Sequence, residues 1–295
     1  MTDLVVIQEE VREALERGGP VVALETTLVA HGFPAPEGVE VGLAAEAAVR
    51  AAGAVPATVG VLDGRIHVGL AAADLERFTV DARKVGPRDV AACARQGAVG
   101  ATTVGGTLAV SAPPGIRFLG TGGIGGVHRG FAQRPDVSAD VPMLARTQAV
   151  VASSGVKSIL DVAATMEVLE TEGVPVLGVR TDTLPLFYQA EGGPAVPARV
   201  ENAEDAAAIA AAHWELGGGG ILVANPPPQS LDVEALVHEG LERARAEGVS
   251  GQQLTPFLLA FLHERSDGRT REVNRALIVE NARLAGQIAV AFAAQ

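Results

Sequence analysis

Lysine is nearly absent from this chain: of its 23 lysines and arginines only two, Lys84 and Lys157, are lysine. Arginine serves a generic positive charge as well as lysine does, but only lysine can give up its proton near neutral pH. The two that remain are candidates for free-amine chemistry, with leftover surface charge as the competing reading. The single cysteine, Cys93, excludes an internal disulfide, and no Cys/His grouping has the spacing of a zinc site. Its setting, DVAACARQG, reads as the buried face of a helix. No run reaches the roughly 18 consecutive uncharged apolar residues that a membrane span needs, so no membrane partner is expected. The opening MTDLVVIQEEVREALERGG carries acids where an export leader carries bases. It reads as an amphipathic helix closed by Gly18 and Gly19, and points to the cytoplasm. Positive charge is short overall, and a net charge of −12 opposes the wide basic face that nucleic acid requires. A small anionic ligand stays compatible, because a few cations in one concavity dominate within a Debye length of about 8 Å.

What the chain does have is alternation. Apolar runs of about six residues alternate with segments of helical period, the pattern of an α/β protein whose mostly parallel sheet is covered on both faces. Strands are expected over Val21 to Glu25, Ile116 to Gly120, Ala149 to Ser153, Pro175 to Arg180 and Gly220 to Ala224. Asp63 and Gly64 sit between two alternating segments as a hairpin turn, which makes the sheet mixed. One long helical tail is expected after Leu254, with Pro256 in its first turn and an apolar face toward the sheet. No repeat or low-complexity linker divides the chain, so 1–295 reads as a single domain, and Gly217 to Gly220 as a tight helix-to-strand connection.

Three clusters carry chemistry. In ALETTLVAHGFP a strand ends on Glu25, where ligands of open α/β sheets gather; apolar neighbours there would suit a general acid, and helix capping or an arginine partner is the alternative. In FLGTGGIGGVHRG, Gly120, Gly122 and Gly125 mimic a dinucleotide fingerprint. His128, Arg129 and Gly130 follow instead of a helix, so a glycine loop that lets backbone amides approach a ligand is the better reading. Just beyond, Ser138 has the type and position of a helix N-cap between Asp136 and Asp140, a seat for phosphate and for a hard divalent cation, or plain capping. In VVASSGVKSILDVAATMEVLE a strand turns through Ser153, Ser154 and Gly155 into a helix and delivers Lys157 at the turn. A lysine ordinarily titrates near 10.4, so free-amine work needs a value nearer about 8, obtainable from partial burial plus a second cation such as Lys84 or Arg129.

The segments ALETTLVAHGFP, PATVGVLDGRIHVGL, GATTVGGTL, TGGIGGVHRG, DVSAD, SSGVKSILD, ANPPP and LTPFLL occur in this order. Together they resemble the pseudouridine-5'-phosphate glycosidases, a family that also carries the label indigoidine synthase A. The resemblance implies a three-layer αβα sandwich with a mixed, mostly parallel central sheet, a homotrimer, and one Mn2+ per subunit, with Mg2+ or another divalent ion as the alternative. It implies a lyase-class glycosidase that splits pseudouridine 5'-phosphate into uracil and ribose 5-phosphate, reversibly. By position it makes Lys157 the Schiff-base nucleophile, Glu25 the proton donor and Asp136 the metal ligand. Lys84, Val104, Ser138, Ala139, Asp140 and Asn274 fall on substrate-binding positions, Val104 through its backbone. The expected course is protonation of the ribose ring oxygen by Glu25, ring opening, imine formation at C1' by Lys157, protonation of uracil C5 on scission, and hydrolysis. Competing readings are another lysine-imine lyase or aldolase of sugar phosphates, and a non-catalytic sugar-phosphate sensor.

Overall fold

The computed structural model describes residues 4–133, 135–249 and 251–295, without the side chain of Gln252, so positions 1–3, 134 and 250 of the expected single domain lie outside the described residues. The strands are β1 (Val5–Ile7), β2 (Val21–Glu25), β3 (Val55–Leu62), β4 (Arg65–Val68), β5 (Arg83–Val85), β6 (Gly100–Thr102) and β7 (Phe118–Gly120). They continue with β8 (Val127–His128), β9 (Val150–Ser153), β10 (Leu160–Asp161), β11 (Val176–Val179), β12 (Ala198–Val200) and β13 (Ile221–Ala224). The helices are α1 (Glu9–Glu16), α2 (Thr27–His31), α3 (Glu37–Ala51), α4 (Val90–Arg95), α5 (Val104–Ser111) and α6 (Asp140–Ala145). The remaining helices are α7 (Val162–Thr171), α8 (Ala203–Glu215), α9 (Glu234–Ala246), α10 (Leu254–Arg265) and α11 (Arg269–Ala293).

One sheet of 11 strands runs β1-β4-β3-β2-β7-β9-β13-β11-β12, with β6 beside β3 and β5 beside β6. From β3 to β12 the pairs along this path are parallel, while β4 and β6 pair antiparallel with β3. The sheet is therefore mixed and mostly parallel, as expected. Its central strands are continuous apolar runs, and every residue of β2, β9, β11 and β13 is buried, which is what a strand covered on both faces demands. Asp63 and Gly64 both take positive φ, 51° and 73°, in the two-residue turn that joins β3 to β4.

Helices α3 and α8 both pack on α11, and α5 packs on α6 and against β2 and β3. Helix α11 is long and apolar enough to cross a membrane by composition alone, yet it lies against β2, β7 and β9 with Asn274 and Asn281 buried, as a core helix. Cys93 is fully buried with its thiol against the Ala98 carbonyl, and burial pushes its pKa up.

Three expectations are corrected. The chain opens on the edge strand β1, paired with β4, and its first helix starts only at Glu9. Val5, Val6 and Ile7 are strand formers with an open sheet edge to join. The expected tail is two helices, α10 and α11, separated at Asp267 (φ 51°) and Gly268 (φ 80°), whose left-handed backbone cannot continue a helix. The helix after Lys157 begins at Val162, where Asp161 caps it by accepting from Ala164 N at 3.0 Å.

Candidate active site

Sequence order turns back between β2 and β7: β3, which follows β2, lies on its other side. Such a reversal opens a crevice beyond the carboxyl ends of the two strands. Glu25 is the last residue of β2 and Thr121 directly follows β7. The Thr121 hydroxyl donates to one Glu25 carboxylate oxygen and the Thr27 hydroxyl to the other. Glu25 is thus buried, 3 % exposed, in hydroxyl contacts rather than in the purely apolar setting expected, and among the described residues it neither caps α2 nor pairs with an arginine.

Beyond the strand ends the β7–β9 pairing continues as two loops zipped together. Ser154 N donates to Gly122 O (2.8 Å), Ile124 N to Gly155 O (3.1 Å) and Lys157 N to Ile124 O (3.1 Å). Gly155 has φ +75° and a Cβ there would lie 2.3 Å from the Pro185 carbonyl oxygen, so only glycine fits this turn. Asn281 of α11 fastens both loops, donating to Thr121 O at 2.8 Å and Ser154 Oγ at 3.2 Å while accepting from Asn225. Asp140 holds the other side of the glycine loop, accepting from Gly125 N at 2.9 Å and from Gly105 N, at the start of α5, at 2.7 Å.

These loops, β5 and α11 enclose a cavity of about 670 Å3, room for a nucleotide-sized ligand. Glu25, Lys84, Asp136, Ser138, Ala139, Asp140, Lys157 and Asn274 all line it. Lys84 is half-buried, and burial, then the electrostatic effect of nearby Lys157, push its pKa down against the pull of Asp140, Glu25 and Asp136. Both lysines therefore line one cavity.

Known proteins match this chain over nearly its whole length. The family model for indigoidine synthase A like protein matches residues 10–291. The chain belongs to this family. A curated relative from Sorangium cellulosum, named pseudouridine-5'-phosphate glycosidase, is 47 % identical across 97 % of this chain and 93 % of its own. Its namesake from Herpetosiphon aurantiacus is 46 % identical over 99 % of each chain. The crystal structure of the prealnumycin C-glycosynthase AlnA in complex with ribulose 5-phosphate superposes with a TM-score of 0.90 at 38 % identity, covering 100 % of this chain and 98 % of that one.

Within this cavity some expectations shift. Val104, first residue of α5 and expected to meet a ligand through its backbone, is wholly buried and is not among the residues that line the cavity, whereas its neighbour Thr103 is. Ser138 is one residue short of the N-cap: α6 starts at Asp140 after Ala139, and Ser138 Oγ accepts from Asp140 N at 3.2 Å. Arg129 is not the second cation beside Lys157, because its guanidinium is turned to the back of the loop and pairs with Glu234. His31 and His128, embedded in motifs noted for their neighbours, also line the cavity. Burial first, and the Lys84 charge after it, keep both imidazoles below their ordinary pKa. His31 Nε2 faces the Ala82 carbonyl at 3.0 Å and so carries the proton.

Among the described residues no three His, Cys, Asp or Glu side chains converge as a closed metal cage. Asp136 supplies one carboxylate to the cavity wall. That donor chemistry fits a hard cation that keeps several waters and completes its shell with ligand oxygens, and does not fit a zinc-type cage.

Proposed function

We propose that this enzyme cleaves the C1'–C5 bond of pseudouridine 5'-phosphate to uracil and ribose 5-phosphate, with Lys157 as nucleophile and Glu25 as proton donor. One observation carries the reading: a buried carboxylate at the end of β2 and the only two lysines of the chain share one cavity at the switch point of the sheet. Ordinary nucleosidases expel a nitrogen that accepts negative charge, whereas a carbon–carbon bond needs an electron sink. Glu25 gives its proton to the ring oxygen as the C1'–O4' bond breaks, and the neutral amine of Lys157 forms a bond to C1'. The nitrogen lone pair then forms C1'=N while the C1'–C5 pair passes to C5, which takes up a proton. Water hydrolyses the imine, releasing ribose 5-phosphate and free Lys157. The sequence is redox-neutral, and run backwards it forms the bond.

Lys84, Ser138 and the main chain around Val104 hold the substrate, so that binding energy at the phosphate is converted into orientation at C1'. Asp136 would hold Mn2+ or Mg2+, which supplies positive charge to the phosphate when bound. Ala139, Asp140 and Asn274 complete the wall. The reading carries with it a cytoplasmic homotrimer in which 1–295 acts as one unit, as the resemblance implies. The likeness to a C-glycosynthase supports a second reading, synthesis of a C–C bond from the same sugar phosphate to another acceptor. Purified protein given pseudouridine 5'-phosphate and manganese releases free uracil under the first reading. Absence of uracil, with consumption of ribose 5-phosphate by another acceptor, selects the second.

A further inference from the structure

The segment from Lys157 to Leu160 is a partition between two hollows. Leu160 lines the main cavity and also a second one of about 280 Å3 on the opposite side, bounded by Arg129, Ser158, Val233 and Glu234. Ile159 and Leu160 pack in the core and Lys157 N donates to Ile124 O, which anchors the segment on the side of the glycine loop. Arg129 adds a polar hold from the side of the second hollow. Its Nε donates to Leu160 O (3.1 Å) and its Nη2 to Ser158 O (2.9 Å), on carbonyls that closely follow Lys157. The same guanidinium meets Glu234 at the start of α9 in a fork, Nη1 to Oε1 at 2.6 Å and Nη2 to Oε2 at 3.0 Å. This partner holds the Glu234 carboxyl below the usual carboxylate range. A planar guanidinium can satisfy two carbonyls and a carboxylate at once; an ammonium cannot reproduce that geometry.

We infer that Arg129, braced by Glu234, is a positioning residue that holds the Lys157 loop at attacking distance without touching substrate. The inference rests on Lys157 being the nucleophile. A displacement of about 1 Å from such a near-attack geometry costs about 100-fold in rate. The brace acts on the chemical step, so the loss belongs to kcat, with KM moved much less.

The test is borohydride trapping of ribose 5-phosphate on the full-length protein, read as the rate of covalent labelling and as the labelled residue, beside steady-state uracil release. Wild type labels at Lys157. Arg129→Ala is expected to label and turn over about 10- to 100-fold more slowly with KM changed less than about threefold, and millimolar guanidinium restores a large part of the rate. Arg129→Lys folds with the charge kept and stays slow, and Glu234→Gln, an exposed change, gives an intermediate loss. Wild-type rates in Arg129→Ala overturn the positioning role while leaving Lys157 as nucleophile. A loss that guanidinium does not restore, or that falls on KM, overturns it too. Labelling of the wild type at another residue overturns the parent reading and the positioning role with it.

Discussion

Thr121 and Glu25 stand 96 positions apart in the chain and are joined by one hydrogen bond, hydroxyl to carboxylate, across the ends of adjacent strands. With Thr27 donating to the other oxygen, the carboxyl has a fixed plane and its two lone-pair directions are set before any ligand arrives. Replacing Glu25 by Gln keeps the shape and removes the transferable proton. Uracil release is expected to fall by about 100- to 10,000-fold while ribose 5-phosphate still binds. Stopped assays and a binding titration of the same variant check this, and a raised KM with intact kcat would assign Glu25 to binding instead.

Asp140 lines the cavity but spends both oxygens on the backbone, accepting from Gly105 and Gly125. It is 4 % exposed, so losing it strands two interior N–H groups. Asp140→Ala should destabilise the protein by about 2 to 4 kcal/mol, read from urea midpoints. Ser138→Ala should cost about 1 kcal/mol or less and act mainly on KM, because among the described residues the Ser138 hydroxyl accepts only from Asp140 N. Equal stabilities for the two variants would contradict this division.

Asp136 is the carboxylate proposed to hold the cation. Chelator treatment is expected to lower activity and manganese to restore it, and Asp136→Ala should shift the manganese titration to higher concentration by about tenfold or more. Full activity of chelator-treated wild type would remove the cation from the reaction.

His263 ties α10 to the loop after α2: Nε2 faces Gly32 O at 3.2 Å and Nδ1 faces Thr270 Oγ1 at 2.8 Å. Burial lowers its pKa from 6.5 to about 4. Between those values the unfolded chain binds the extra proton and the folded one does not. Stability is therefore full above about pH 7 and is lost as pH falls from 6.5 toward 4, by at most roughly 3 kcal/mol. Urea midpoints at pH 7 and pH 5 should show His263→Gln less stable than wild type at pH 7 and the gap narrowing at pH 5. Parallel profiles would exclude His263 as the titrating group.

Local chemistry in the sequence was enough for the elements that depend on near neighbours. Asp63 and Gly64 specify a turn, Val21 to Glu25 a buried strand, and Gly155 a bend, because backbone torsions and hydrophobic period act over a few residues. The scarcity of lysine marked Lys84 and Lys157 without any fold at all. Partnerships between distant side chains were not legible there. That Arg129 faces Glu234 behind the loop, that Val104 enters the core, that Asp140 serves two glycines and that Val5 to Ile7 find an edge to join were decided by packing. Long-range contacts depend on where the sheet brings strand ends together, and strand order is a property of the assembled chain rather than of any window along it.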